Sequence, residues 1–178
     1  RLDTLVNHVL EAARLEKESL DEDQTEAVDL RQLLEECIQT VSVRYRTPPE
    51  TFFRELATCH VRANRVDLEI VFRNLIDNAV KYAAHKPQVG VKLRLLDNTE
   101  AEVRVWDNGG GIPAKMRRKV FGRFVRLGME LERQKPGTGL GLYIVRTLVR
   151  RMGGRIGFED RQPPPGTVFE VRLPAVLT

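Results

Sequence analysis

The chain of 178 residues is 42% hydrophobic and holds no apolar run long enough to cross a bilayer, so it reads as one globular domain with an appendage. Its 29 Lys and Arg against 25 Asp and Glu leave a net charge of +4, which favours anionic ligands without choosing among nucleotides, nucleic acids and acidic partners. No nucleic-acid-binding motif is present, and Cys37 and Cys59 lack metal-ligand spacing, so they read as core thiols of a reducing compartment.

The first residue, Arg1, already lies in a helical pattern, as expected of a piece of a longer protein with further segments upstream. Leu2, Leu5, Val9 and Ala12 step by three and four, predicting a helix over 1–20 that packs its narrow seam on a partner. The acidic stretch EKESLDEDQTEA reads as a solvated break, with a linker at 21–28 and the main domain at 29–178. Asp29, with Gln32 three residues on, has the form of an N-cap with a capping-box partner, opening a helix whose apolar face carries Leu30, Leu33, Leu34, Cys37, Ile38 and Val41. Strands TFFREL and HVRA follow, then a long helix over about 66–84 and the strands VGVKLRLL and AEVRVW. A glycine-rich turn, a short basic helix, a polar loop and a helix after Gly141 come next, and GRIGFE and TVFEVRLP close the chain as strands. This mixture predicts a two-layer α/β (α+β) sandwich.

Four segments carry chemistry. In FRNLIDNAVKYAAH the residues Leu68, Phe72, Leu75, Ile76, Ala79 and Ala83 share the core face, while Asn74, Asn78 and Lys81 form a polar row at i, i+4 and i+7. A solvated face explains any one of these, but two asparagines inside a helix weaken it without structural return. Two amide oxygens and an ammonium in line suit Mg²⁺ and phosphate oxygens. In WDNGGGIP a strand delivers Asp107 to a triple-glycine turn, where its carboxylate can accept from an exocyclic amine; a plain turn with Asp as local cap explains the segment equally well. VFGRFVR spaces Phe121 and Phe124 three apart beside Arg123 and Arg126, and alone reads as an ordinary amphipathic helix. The polar loop LGMELERQKP after it is expected to be the most mobile part of the domain. In GTGLG the alternating glycines run straight into a helix, where backbone N–H groups favour an anion; neither GxGxxG nor a P-loop is present. That helix has the apolar stripe Leu142, Val145, Val149 and Met152, with Arg146, Arg150 and Arg151 read as solvated surface.

In this order the four segments resemble the nucleotide-binding domain of two-component sensor histidine kinases, within the superfamily that includes the gyrase, Hsp90 and MutL ATPases. The resemblance spans about 29–176 and implies the sandwich of that family, preceded by a helix from a dimerisation hairpin. It places Asn74, Asn78, Lys81 and Tyr82 in the N box, with Asn78 as the Mg²⁺ ligand and Lys81 as a phosphate contact. Asp107 becomes the acceptor of the adenine amine, with Gly109 and Gly111 as the G1 glycines. Phe121, Phe124 and Arg126 match the F box, Arg126 as the γ-phosphate contact. Gly137, Gly139 and Gly141 match the G2 box, so backbone N–H groups of 137–141, Thr138 and Leu140 included, are expected around the triphosphate. Gly110 stands where many relatives have another residue. The cofactors implied are ATP and Mg²⁺.

The ATP-hydrolysing branch is known for a glutamate at the position of Asn74, and an amide supplies no general base, so the resemblance implies transfer to a protein nucleophile. In the family that nucleophile is a histidine on the dimerisation hairpin. The surroundings of His8, His60 and His85 lack the acceptor pattern, and residues 1–20 resemble the hairpin's second helix, which puts the acceptor upstream. The implied partners are the protein's own dimerisation helices in a homodimer and a response regulator, not nucleic acid, with a cytoplasmic location. A non-catalytic ATP-binding or docking module and a serine-directed kinase of the same superfamily remain the alternatives.

Overall fold

The carboxylate of Asp29 accepts the N–H groups of Arg31 at 2.9 Å and Gln32 at 3.2 Å, and so ends strand β1 (Glu26–Asp29) and starts helix α1 (Leu30–Tyr45). The capping box does not close, because the Gln32 amide donates forward to Glu36 at 2.9 Å. The structure, a computed structural model, describes residues 25–125 and 138–176. The helix expected over 1–20, Arg126, Gly137 and the polar loop between them lie outside these residues.

After α1 come β2 (Phe52–Leu56), β3 (His60–Ala63), α2 (Arg65–Tyr82), β4 (Val89–Leu96) and β5 (Glu100–Asp107). Beyond the loop lie α3 (Gly141–Arg151), β6 (Arg155–Asp160) and β7 (Thr167–Val176). The strands form one mixed sheet in the order β1-β3-β7-β5-β4-β2, with β6 on β7; among the described residues only the β2–β4 pair is parallel. Strand β1 was not expected: the stretch read as linker ends in residues that pair with β3, Val28 opposite Val61. Four residues in an acidic context are too short a signal, and the pairing partner supplies the rest.

Alternation sorts the sheet into two faces. Val89, Val91 and Leu93 of β4, Ala101, Val103 and Val105 of β5, and Phe169, Val171 and Leu173 of β7 are buried under the helices. Each helix contributes a fully buried stripe, with Leu34 and Ile38 from α1 and Phe72, Leu75 and Ile76 from α2, each side chain worth about 1.5–3 kcal/mol. Cys37 and Cys59 are buried free thiols, and burial pushes Cys37 up to about 12. The outer face is a lattice of cross-strand ion pairs, Lys92 with Glu55, Arg94 and Arg172 with Glu102, and Arg155 with Glu100.

Two expectations need correction. Helix α3 buries Ile144, Val145, Leu148 and Val149, while Leu142 and Met152 are only partly buried, because α3 packs on both α2 and β6 and needs a wider apolar arc. Arg146 is accordingly not solvated surface; its guanidinium lies 5.8 Å from the ring centre of Phe121. The short basic helix is only a 3-10 turn, Ala114–Met116, followed by turns closed by Lys119 N–H to Met116 O at 2.9 Å and Gly122 N–H to Lys119 O at 2.7 Å. Adjacent Arg117, Arg118 and Lys119 repel one another, and Gly122 favours the break.

Candidate functional site

Strand parity decides where Asp107 points. It shares the face of Ala101, Val103 and Val105, so its carboxylate turns toward the helix layer, where it is 6% exposed. Its Oδ1 accepts the Gly109 N–H at 2.7 Å, and the Thr167 N–H donates to it as well. Burial raises its pKa, and these two donors and the charge of Arg161 partly oppose the rise. Asp107 is thus the local cap of its own turn as well as a buried acceptor.

The turn after Asp107 is locked to the end of α2. A Cβ on Gly109 would lie 2.0 Å from the carbonyl oxygen of Tyr82, so glycine is needed here for close packing of backbone on backbone. Gly110 is exposed, with nothing within 4 Å of a Cβ, and Gly111 has φ +75. Sequence reasoning missed Asn108, whose Oδ1 accepts the N–H groups of Ala84 at 3.3 Å and Gln88 at 3.0 Å while its amide donates to Lys86 O at 2.9 Å. Asn108 thereby pins the loop between α2 and β4. Sequence reasoning placed Thr167 correctly at the start of the strand TVFEVRLP but missed its role as a donor to Asp107, which no local signal marks.

At the other end of the site α2 meets α3. The Asn74 amide donates to Ile70 O at 2.8 Å, and its Oδ1 lies 2.8 Å from where a Cβ on Gly141 would stand. Between Asn74 and Tyr82, over about 12 Å of helix, lie Asn78 and Lys81. Asn78 is half-buried and makes no hydrogen bond to another described residue; the Lys81 ammonium stands 4.9 Å from the Tyr82 ring centre.

Helix α3 starts at Gly141 with no side-chain cap. The first N–H groups of a helix have no intrahelical partner, which leaves those of Gly141, Leu142 and Tyr143 to a ligand or water. Leu140 differs: its side chain is buried in the core and its N–H donates to Thr138 Oγ1 at 3.2 Å. Gly139, at φ +74, lets the chain pass against Phe124, whose carbonyl carbon would lie 2.7 Å from a Cβ. Phe124 is itself left-handed (φ 57) and 67% exposed, whereas Phe121 packs 6.0 Å from Phe158 and 6.4 Å from Phe169. Arg123 stacks 4.7 Å from the Tyr143 ring centre and donates to its hydroxyl at 2.7 Å. The structure therefore sets Gly141 against Asn74, and Gly109, beside Asp107, against Tyr82, with Asn78 and Lys81 between them on α2; Gly111 lies by Gly166 and Gly139 by Phe124, while Arg126 and Gly137 fall outside the described residues.

A carboxylate at one end of α2 and an uncapped helix start at the other belong to one known architecture: the chain is a member of the histidine kinase-, DNA gyrase B- and HSP90-like ATPase family, whose family model matches residues 63–177. Within it, the chain is an ATP-binding region of the sensor histidine kinase kind. It is 39% identical over 152 residues to the signal transduction histidine-protein kinase/phosphatase MprB of Mycobacterium tuberculosis, covering 84% of this chain and 29% of that protein. MprB of Mycobacterium avium is 38% identical over 152 residues, covering 84% and 28%. The chain thus spans under a third of the curated relatives it matches. Among solved structures, the mycobacterial sensor histidine kinase MprB superposes with TM-score 0.74 at 32% identity, over 84% of this chain and 98% of that one. Full-length ShkA in complex with AMPPNP superposes with TM-score 0.79 at 27% identity, over 99% and 36%. No helix among the described residues is long and apolar enough to cross a membrane.

Proposed function

We propose that the chain binds ATP with Mg²⁺ between α2, the Asp107 turn and the start of α3, and presents the γ-phosphoryl group to a histidine on a dimerisation helix of its own protein. The observation that carries this is the buried carboxylate of Asp107, held toward the helices by the N–H groups of Gly109 and Thr167. It accepts the adenine amine, and the uncapped N–H groups of Gly141, Leu142 and Tyr143 meet the phosphates. Lys81 and, by resemblance, Arg126 add positive charge. Asn78 fits Mg²⁺, because its half-buried amide has no other described partner and this ion needs few protein ligands beside phosphate oxygens and water. When bound there, the ion offsets phosphate charge. The complex of full-length ShkA with AMPPNP supports the nucleotide reading.

Asn74 favours transfer over hydrolysis. Its amide donates to Ile70 O, a bond that a glutamate carboxylate could not make, and it has no basic atom to activate water. Phosphoryl transfer asks mainly for positioning and charge stabilisation, which this site offers. The full protein is then a homodimeric kinase whose core faces the cytoplasm and which relays phosphate to a response regulator.

The test is incubation with radiolabelled ATP, first of the chain alone and then with the dimerisation hairpin of the same protein, followed by acid. Acid-labile label on the hairpin and none on the chain is expected. Label on the chain alone that His8→Ala abolishes would overturn the reading; acid-stable label would make it a serine-directed kinase, and binding without any transfer a docking module.

A further inference from the structure

The segment 112–125 borders the proposed nucleotide site at both ends. It leaves the Asp107 turn directly after Gly111 and returns at Phe124, against Gly139. It contains Lys115, Arg117, Arg118, Lys119 and Arg123 and no acidic residue. Two of these cations are committed elsewhere. Arg117 pairs with Asp160 and lies 5.6 Å from the Phe158 ring centre, and Arg123 is bound to Tyr143. Lys115, Arg118 and Lys119 are exposed and make no ion pair with a described residue.

Solvated cations are ordinary on a surface, and Arg31, Arg46, Arg62, Lys86 and Arg150 are likewise exposed with no ion pair to a described residue. Across the outer sheet face Lys92, Arg94, Arg155 and Arg172 all have carboxylate partners. The segment bordering the site differs from that face: Lys115, Arg118 and Lys119 fall within five residues, with no acidic residue in the segment and no carboxylate partner among the described residues. We infer that Lys115, Arg118 and Lys119 form a collecting surface that draws the phosphates of the nucleotide into the site and sets its association rate. The inference rests on the ATP reading above and adds to it a role for residues that need not touch the bound nucleotide. Cations on the rim of a cleft attract an approaching anion over roughly 30 Å at about 10 mM ionic strength and over about 3 Å at 1 M. They act on the encounter, and once the ligand is seated its own contacts govern release.

The test is stopped-flow binding of a fluorescent N-methylanthraniloyl ATP with Mg²⁺ to the whole chain and to the triple variant K115Q/R118Q/K119Q. At about 10 mM ionic strength the variant should associate roughly tenfold more slowly, and the gap should close to less than about twofold near 1 M salt. The dissociation rate, and both rates for the correspondingly labelled adenosine, should be unchanged, which a damaged fold would not give. Equal association rates for the two proteins at low salt would overturn the inference and leave the ATP reading standing. No binding by the unaltered chain would overturn both. Should the variant fail to fold, the unaltered chain still decides: ATP association independent of salt refutes the inference.

Discussion

Asp107→Asn isolates the charge of the buried acceptor with little change of shape. In the folded chain the Asp107 carboxylate serves the Gly109 N–H at 2.7 Å and the Thr167 N–H, and its remaining lone pairs are what an adenine amine would meet. An asparagine has one acceptor oxygen and an NH₂ group, so at least one donor among Gly109, Thr167 and adenine loses its partner. A hydrogen bond to a charged group contributes about 1.5–3 kcal/mol, so ATP affinity should fall roughly ten- to a hundredfold. Titration calorimetry with Mg²⁺ and ATP measures this, under conditions where thermal melting shows both proteins folded. A second readout is independent of ligand. Burial raises the Asp107 pKa above its ordinary value of 3.8, so between the two values the folded chain holds a proton that the unfolded chain has released. Its contribution to stability is therefore fully present below 3.8 and declines as pH rises through the folded-state pKa, and the asparagine variant should lack that decline. Equal ATP affinity of the two folded proteins would refute the assignment of Asp107 as the adenine acceptor.

Gly109→Ala and Gly110→Ala should separate sharply in thermal melting. A Cβ at 109 meets the Tyr82 carbonyl oxygen at 2.0 Å and should cost about 1–3 kcal/mol or more, while one at 110 meets nothing within 4 Å and should stay within about 0.5 kcal/mol. Steady-state ATP hydrolysis by the chain should be very slow, because Asn74 supplies no base; turnover at the rate of a dedicated ATPase, abolished by Asn78→Ala, would place the chain in the hydrolysing branch.

The sequence by itself determined the architecture and the family. Alternation in VGVKLRLL and AEVRVW and the helical period from Leu68 to Ala79 are local patterns, and each is read from residues a few positions apart. The polar row Asn74, Asn78 and Lys81 and the end-of-strand Asp107 were legible for the same reason. What sequence spacing could not decide is which partner each residue meets. The glycine at 109 was legible only as one of three in a turn, and the fold shows it is needed by the end of α2, far upstream in the chain. Strand β1 exists because β3 is there to pair with it, and the rotation of α3 toward Ile144 and Leu148 follows from packing on two neighbours at once. Asn108 and Thr167 acquired their roles from a loop and a strand brought beside Asp107 by the sheet order. Local preference fixes elements because a side chain always meets its own backbone; the site was left to tertiary structure because hydrogen-bond partners and excluded volumes come from segments that only folding makes neighbours.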